Sequence, residues 1–184
     1  MILNWHKPNI FSLFVAIIFV MIFTLPIFAQ SSSNPSGLEV PRFASTRSKP
    51  INVRVGPGKR YDIAWIYVKS GIPIEVIAEF DVWRKIRDHE KEEGWIHQSL
   101  VSSARAGLIK SDIDENVSLL SKAEVGAIVK AFLGAEYPLI LKSCDGKWCE
   151  VVIKYSDNGE KEKTISGYLE QSKVWGVYEN EKFD

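Results

Sequence analysis

The order of features along this chain occurs twice. From Val53 the sequence runs through a turn, Trp65 with Ile66, Gly71, an apolar stretch, Trp83, a charged segment and Gly94-Trp95. From Val117 it runs through a loop, Val129, Gly134, "YPLILKS", Trp148, a second charged segment and Gly167-Tyr168. A shift of 64 residues carries Val53 to Val117, and a shift of 65 carries Trp83 to Trp148. The longer segment "KYSDNGEKEKTIS" raises the shift to 73 at Gly167. A repeat of this length is a module, not a solenoid step. Two modules of about seventy residues each have small cores, so packing against one another helps both.

The modules read as strands. In "IPIEVIAEF" the residues Ile72, Ile74, Val76, Ala78 and Phe80 alternate onto one face. "VWRKIRD", the charged tip "HEKEEG" and the returning "WIH" read as a hairpin. "LSKAEVGAIVKAFLG" has some helical spacing, but Gly126 sits in its middle and its flanks are strand-like. The expectation is an all-β chain.

Residues 1–29 differ from the rest. Lys7 is the only charged residue there, with His6 beside it. Ile10 to Leu25 is apolar apart from Ser12 and Thr24, Pro26 breaks the run, and the segment ends at Ala29. That is the layout of a secretory signal. The apolar run also approaches the length that spans a bilayer, so an uncleaved anchor is the alternative. The chain is then exported and periplasmic, or anchored in the inner membrane and facing the periplasm, with any membrane contact confined to this segment. Residues 30–38, "QSSSNPSGL", form a polar linker. The first module is set at 39–110 and the second at 111–184.

Charge is balanced overall but not along the chain. Residues 30–110 hold 13 basic and 9 acidic side chains; residues 111–184 hold 9 and 14. The asymmetry suggests two units that face each other, or one that faces an anionic surface. Neither half is basic enough to argue for nucleic acid. Cys144 and Cys149, in "CDGKWC", suit a disulfide across a hairpin in an oxidising compartment.

The turn in "INVRVGPGKRYDI" is not a phosphate cradle. A cradle needs a helix opening after the glycines, so that amide groups converge on the anion. No helical pattern follows Gly58, and no Gly-Lys-Ser/Thr ending is present. The glycines and Pro57 instead set backbone angles for a tight turn. No catalytic residues are assigned. Cys149 with His97 could form a nucleophile and base only if the thiol were free and a third group held the base. Two cysteines without a companion pair make half a metal site, so no metal or cofactor is expected.

Several segments together carry a resemblance. "NVRVGPG" at Asn52 to Gly58, "EFDVWRKIRD" at Glu79 to Asp88 and "GWIHQSLV" at Gly94 to Val101 resemble a bacterial SH3-type (SH3b) domain. "CDGKWCEV" at Cys144 to Val151 and "GYLEQSKVWGV" at Gly167 to Val177 extend it to a second module. The pattern is similar to an exported proteobacterial family with two such modules after a signal peptide. The second module departs from it in lacking the Gly-Pro-Gly turn and in carrying Tyr168 where tryptophan is usual. The resemblance implies two small, five-stranded, partly open β-barrels in tandem. It also implies a non-catalytic binding role, on peptidoglycan peptides or an envelope protein. A structural or assembly role, with the modules packed on each other and no small ligand, is the alternative; a cell-wall hydrolase would need a further domain.

Strand parity gives candidate ligand residues. Trp83 falls on the face opposite Ile86, together with Lys85, and Trp148 falls opposite Val151. Trp83 is therefore expected in an outer groove, with Tyr61, Trp65 and Trp95 as further aromatic walls and Arg54 as a charged contact. The charged tip carrying His89 is expected to be a solvated turn.

Cleavage after Ala29 makes Gln30 the first residue of the exported protein. N-terminal sequencing of exported material checks this; Met1 retained on membrane-bound protein would establish the anchor.

Overall fold

The computed structural model describes residues 34–156 and 161–184, so the leader at 1–29 lies outside the described residues. The expected all-β fold is what it shows. The first sheet contains β1 (Arg42–Thr46), β2 (Ile51–Arg54), β3 (Ile63–Tyr67), β4 (Pro73–Phe80), β5 (Trp83–Arg87), β6 (Glu93–His97) and β7 (Val101–Ser102). The second contains β8 (Ala106–Ile109), β9 (Val117–Leu120), β10 (Val129–Leu133), β11 (Pro138–Asp145), β12 (Trp148–Tyr155), β13 (Lys163–Glu170) and β14 (Val174–Trp175). All pairings are antiparallel. The strand order is β3-β2-β6-β5-β4-β1-β7 in one sheet and β10-β9-β13-β12-β11-β8-β14 in the other. Adding seven to each label of the first order gives the second, so the sequence repeat is a topological repeat. A last strand, β15 (Lys182–Phe183), pairs with β11 at Cys144 and Asp145.

The change of sheet corrects the expected module boundary at Lys110. Ala106–Ile109 pairs with β11 and β14, and Ile109 is buried in the second core. The crossing lies between Ser102 and Ala106. The strand belongs to the second module because β8 takes the place that β1 has in the first. Sequence matching from Val53 and Val117 onward leaves both of these strands out of the repeat. The linker also needs correcting. Asn34 to Gly37 closes a turn by a backbone bond of 2.8 Å, and Ser36 is tied to the first sheet.

Each sheet closes over its own core. Ile51, Val53, Ile74, Val76, Ile86 and Ile96 are fully buried in the first. Leu119, Leu139, Leu141, Val151, Ile153 and Leu169 fill the second. The alternation expected for β4 holds at Ile74 and Val76 and then fails. The register shifts between Val76 and Ala78, and Phe80 is 60 % exposed. A bulge adds one residue to the strand and turns the following side chains to the other face. In the second module Cys144 and Cys149 sit opposite each other on β11 and β12 and are disulfide-bonded, with Cα atoms 4.1 Å apart. Gly146 and Lys147 make the turn, one residue later than the sequence suggests. Asp145 ends the strand, and its carboxylate accepts from the amides of Lys147 and Trp148.

The two modules touch through aromatic rings. Phe43 of β1 packs edge-on to Trp175 at 5.2 Å and against Tyr178 at 4.6 Å. The Tyr178 hydroxyl donates to Glu75 of β4 at 2.9 Å. Burial, with the Glu75 carboxylate beside it, pushes that hydroxyl's titration well above the ordinary tyrosine range.

A charged cluster closes the other end of the first sheet. The Glu79 side chain is fully buried and takes ion pairs from Arg42 at 2.6 Å and from the buried Arg84 at 3.2 Å. The Ser36 amide and hydroxyl donate to it at 2.8 and 2.7 Å. Burial alone would raise the carboxylate's pKa, but the bonds from Ser36 and Arg42 outweigh it and hold the group below its usual value. A carboxylate with a depressed folded pKa contributes stability that is present above its unfolded pKa. That contribution is lost as pH falls through the folded value. Glu79→Gln should cost on the order of 3 kcal/mol at neutral pH, because it leaves two guanidinium groups facing a neutral amide. The stability gap between wild type and variant should narrow on acidification. Denaturant titration at several pH values measures both.

Candidate ligand face of the first sheet

The outer face is built by parity and register. On β5, Arg84 and Ile86 point inward, so Trp83, Lys85 and Arg87 point outward. On β6, Gly94 and Ile96 are buried, so Glu93, Trp95 and His97 point outward. The register sets Trp83 opposite His97, Lys85 opposite Trp95 and Arg87 opposite Glu93. Phe80 of β4 lies opposite Trp83, and Arg54 of β2 lies opposite Trp95. The result is a row of Phe80, Trp83 and His97 beside a second row of Trp95 and Lys85.

Trp83 is where parity places it, outside the first core cluster, but it is not an open platform. It is 9 % exposed and meets His97 edge-on at 5.7 Å. His97 is fixed in turn, since its Nδ1 accepts from the Ser99 amide and lies 2.8 Å from the Ser99 hydroxyl. Trp95 is half-buried and Phe80 is exposed, so these two present the accessible ring surface.

The other expected residues divide. Trp65 and Tyr67 occupy alternate, half-buried positions of β3, packed on the first core. Their rings meet edge-on at 6.1 Å. Trp65 is therefore a lid on the core, not a wall of the outer face; its indole N–H is buried without a partner. β3 is an edge strand whose inner-face residues must cover the barrel opening, and a large ring does that. Tyr61 lies across the Gly-Pro-Gly turn. A Cβ at Gly56 would fall 2.5 Å from the Tyr61 ring, and one at Gly58 would fall 3.3 Å from it. The glycines are thus the seat of the tyrosine ring. Arg54 braces the same turn, donating from Nη1 to the Tyr61 carbonyl at 2.6 Å. Arg60 covers the outside of the ring at 5.2 Å. Arg54, Tyr61 and Trp95 therefore come together at one end of the face, Trp83 at the other, and Trp65 stands apart.

Phe80 and His97 are functional candidates that sequence parity misses. The bulge after Val76 reverses Phe80, and His97 reads as an ordinary surface residue without the register. His89 is also misread. It is not simply a solvated tip residue: its ring lies 6.1 Å from that of Trp175, and its Nε2 lies 3.6 Å from Glu136 of the second module. In that module Trp148 is half-buried on the face opposite Val151, as expected. The Tyr67 hydroxyl donates to Asp88 at 3.0 Å and is held well above the ordinary tyrosine range, chiefly by burial. Among the described residues no three His, Cys, Asp or Glu side chains are grouped to hold a metal ion.

Residues 47–103 match the bacterial SH3 domain family. That stretch runs from the end of β1 through β7 and contains the whole aromatic face. No curated protein matches the chain. Among solved structures, NlpC2 from Trichomonas vaginalis is similar at 9 % identity and a TM-score of 0.32, over 75 % of this chain and 49 % of that one. NlpC1 from Trichomonas vaginalis is similar at 10 % identity and a TM-score of 0.30, over 74 % and 46 %. This chain spans about half the length of either.

Gly94 joins the two sides of this arrangement. A Cβ there would lie 2.4 Å from Val53 Cγ1, 3.0 Å from the Trp65 ring and 3.2 Å from the Arg54 carbonyl. Gly94→Ala must displace the core lid and the strand that carries Arg54. A loss of about 1–3 kcal/mol in unfolding free energy is expected from such overpacking, read by thermal and denaturant melts.

Proposed function

We propose that the protein is a non-catalytic binding protein of the bacterial cell envelope, exported through its residues 1–29, with the first module as its recognition unit and peptidoglycan peptides as its ligand class. The observation that carries this reading is the aromatic outer face of the first sheet. Phe80, Trp83, Trp95 and His97 lie outside the first core cluster, and the rings between the modules are others, Phe43, Trp175, Tyr178 and His89. Aromatic rings with a neighbouring cation, here Trp95 with Lys85 and Arg54, suit a peptide that offers both apolar side chains and carboxylates. The match to a bacterial SH3 domain over residues 47–103 supports the same class. In this reading the second sheet is a second SH3-like module, supported by its identical strand order.

A structural role is the second reading. The Phe43, Trp175 and Tyr178 contacts favour it, because they fix one module on the other without any ligand. The two readings part at Trp95. Purified sacculi should retain the wild-type protein, and Trp95→Ala should weaken retention by about 1–2 kcal/mol without changing the melting temperature. Trp83→Ala should lower stability as well, by about 3 kcal/mol, because that ring is buried. Undiminished retention of Trp95→Ala would remove the aromatic face from the binding site. Failure of wild type to bind sacculi would leave the structural role.

A further inference from the structure

The largest cleft described belongs to neither module alone. It encloses about 740 Å³ between the β5–β6 turn of the first sheet and β8 and β14 of the second. We infer that this cleft binds a short zwitterionic peptide, with its ammonium on Glu136, its carboxylate between Lys91 and Lys110, and its body against Trp175.

The charges that the protein neutralises itself are removed first. Arg87 donates to Glu93 at 2.9 and 3.1 Å and to Glu75 at 3.3 Å, and Glu93 also pairs with Lys85 at 2.6 Å. Asp88 accepts from the Tyr67 hydroxyl and from the amides of Glu90 and Glu92, at 3.0 to 3.1 Å. These groups are satisfied. Among the described residues no carboxylate pairs with Lys91 or Lys110, although both line the cleft. Glu136 has only His89, at 3.6 Å, and its side chain is 69 % exposed. The cleft therefore offers two open cations, one open anion and one aromatic wall. Trp175 is held in place by Phe43 and His89.

The chemistry of the occupant follows. An inorganic anion would use the lysines and leave Glu136 and the indole idle. A neutral sugar would leave all three charges without a partner. A molecule with an ammonium at one end, a carboxylate at the other and an apolar body between them engages every open group. A volume of several hundred Å³ suits a ligand of a few residues. The site is separate from the aromatic face and does not depend on its assignment.

Trialanine is the probe, with N-acetyl-trialanine and trialanine amide as its single-charge controls. The readout is the Trp175 indole N–H resonance of the full chain, assigned with Trp175→Phe. Trialanine should shift it saturably, and each blocked peptide should bind about tenfold more weakly, the ratio given by loss of one charge-assisted hydrogen bond. Lys91→Gln with Lys110→Gln should weaken trialanine by a similar factor. Glu136→Gln should abolish the difference between trialanine and its acetylated form. All three positions are exposed, so the fold should be unchanged. Trp95→Ala should leave the titration as in wild type. Blocked peptides that bind equally well, no saturable shift with trialanine, or loss of binding in Trp95→Ala would each overturn the assignment.

Discussion

The contact on which the two-module arrangement depends is the ion pair between Arg105 and Glu181. Arg105 sits in the short crossing between the sheets, and Glu181 sits just before the last strand. Nη1 and Nη2 reach the two carboxylate oxygens at 2.7 and 3.1 Å, and Nη2 also donates to the Gly176 carbonyl at 2.9 Å. The Phe183 ring lies 4.2 Å beneath the guanidinium. Burial alone would raise the Glu181 pKa, but Arg105 and the Tyr178 amide hold it below the usual value. A paired guanidinium and carboxylate of this geometry fix direction as well as distance. The segment they fix carries Trp175 and Tyr178, the two rings that meet Phe43. The crossing thus positions the tail, and the tail positions the first module. Gln171, itself buried, completes the wrap by donating to the carbonyls of Tyr178 and Glu181 while accepting from the Gly146 amide.

The first sheet divides its large rings by face. Trp65 and Tyr67 complete a core that its aliphatic residues are too few to close, and small domains commonly lack enough apolar area for that task. Trp83, Trp95 and Phe80 stand on the other side of the same strands and have no share in that core. The glycines separate the sets. Gly94 lets Trp65 lie over Val53, and Gly56 lets Tyr61 lie over the turn. A ring at a strand start is therefore not informative by itself; its meaning depends on which face the backbone turns it to.

Much of this was legible in the sequence. The repeat from Val53 to Val117 and from Trp83 to Trp148 gave two units of one topology, and the apolar alternation gave strands. The Cys144–Cys149 pairing followed from spacing across a hairpin. Parity placed Trp83 opposite Ile86 correctly. What failed failed for physical reasons. The bulge after Val76 has no residue signature, so Phe80 was assigned to the wrong face. Trp65 lies on an edge strand, where periodicity cannot tell a core lid from an exposed wall. The meetings of His89 with Trp175 and of Tyr178 with Glu75 join residues far apart in the chain. They depend on how the modules sit, which no local pattern encodes.

The shifted boundary also changes what charge can explain. With the crossing at Arg105, residues 30–104 hold 11 basic and 9 acidic side chains, and residues 105–184 hold 11 and 14. The asymmetry is smaller than a boundary at Lys110 suggests, because Arg105 and Lys110 move to the acidic side. Exposed charges at such separations are also largely screened at physiological salt. Among the described residues the charged contacts that cross between the sheets are few, with His89 and Glu136 at 3.6 Å and the neutral Tyr178 hydroxyl on Glu75. Attraction between unlike halves is therefore not what joins them. Ring packing and the Arg105 clamp do that locally. The remaining charge at the junction stays uncommitted, and Lys91, Lys110 and Glu136 line an open cleft where a tighter electrostatic interface would have closed one.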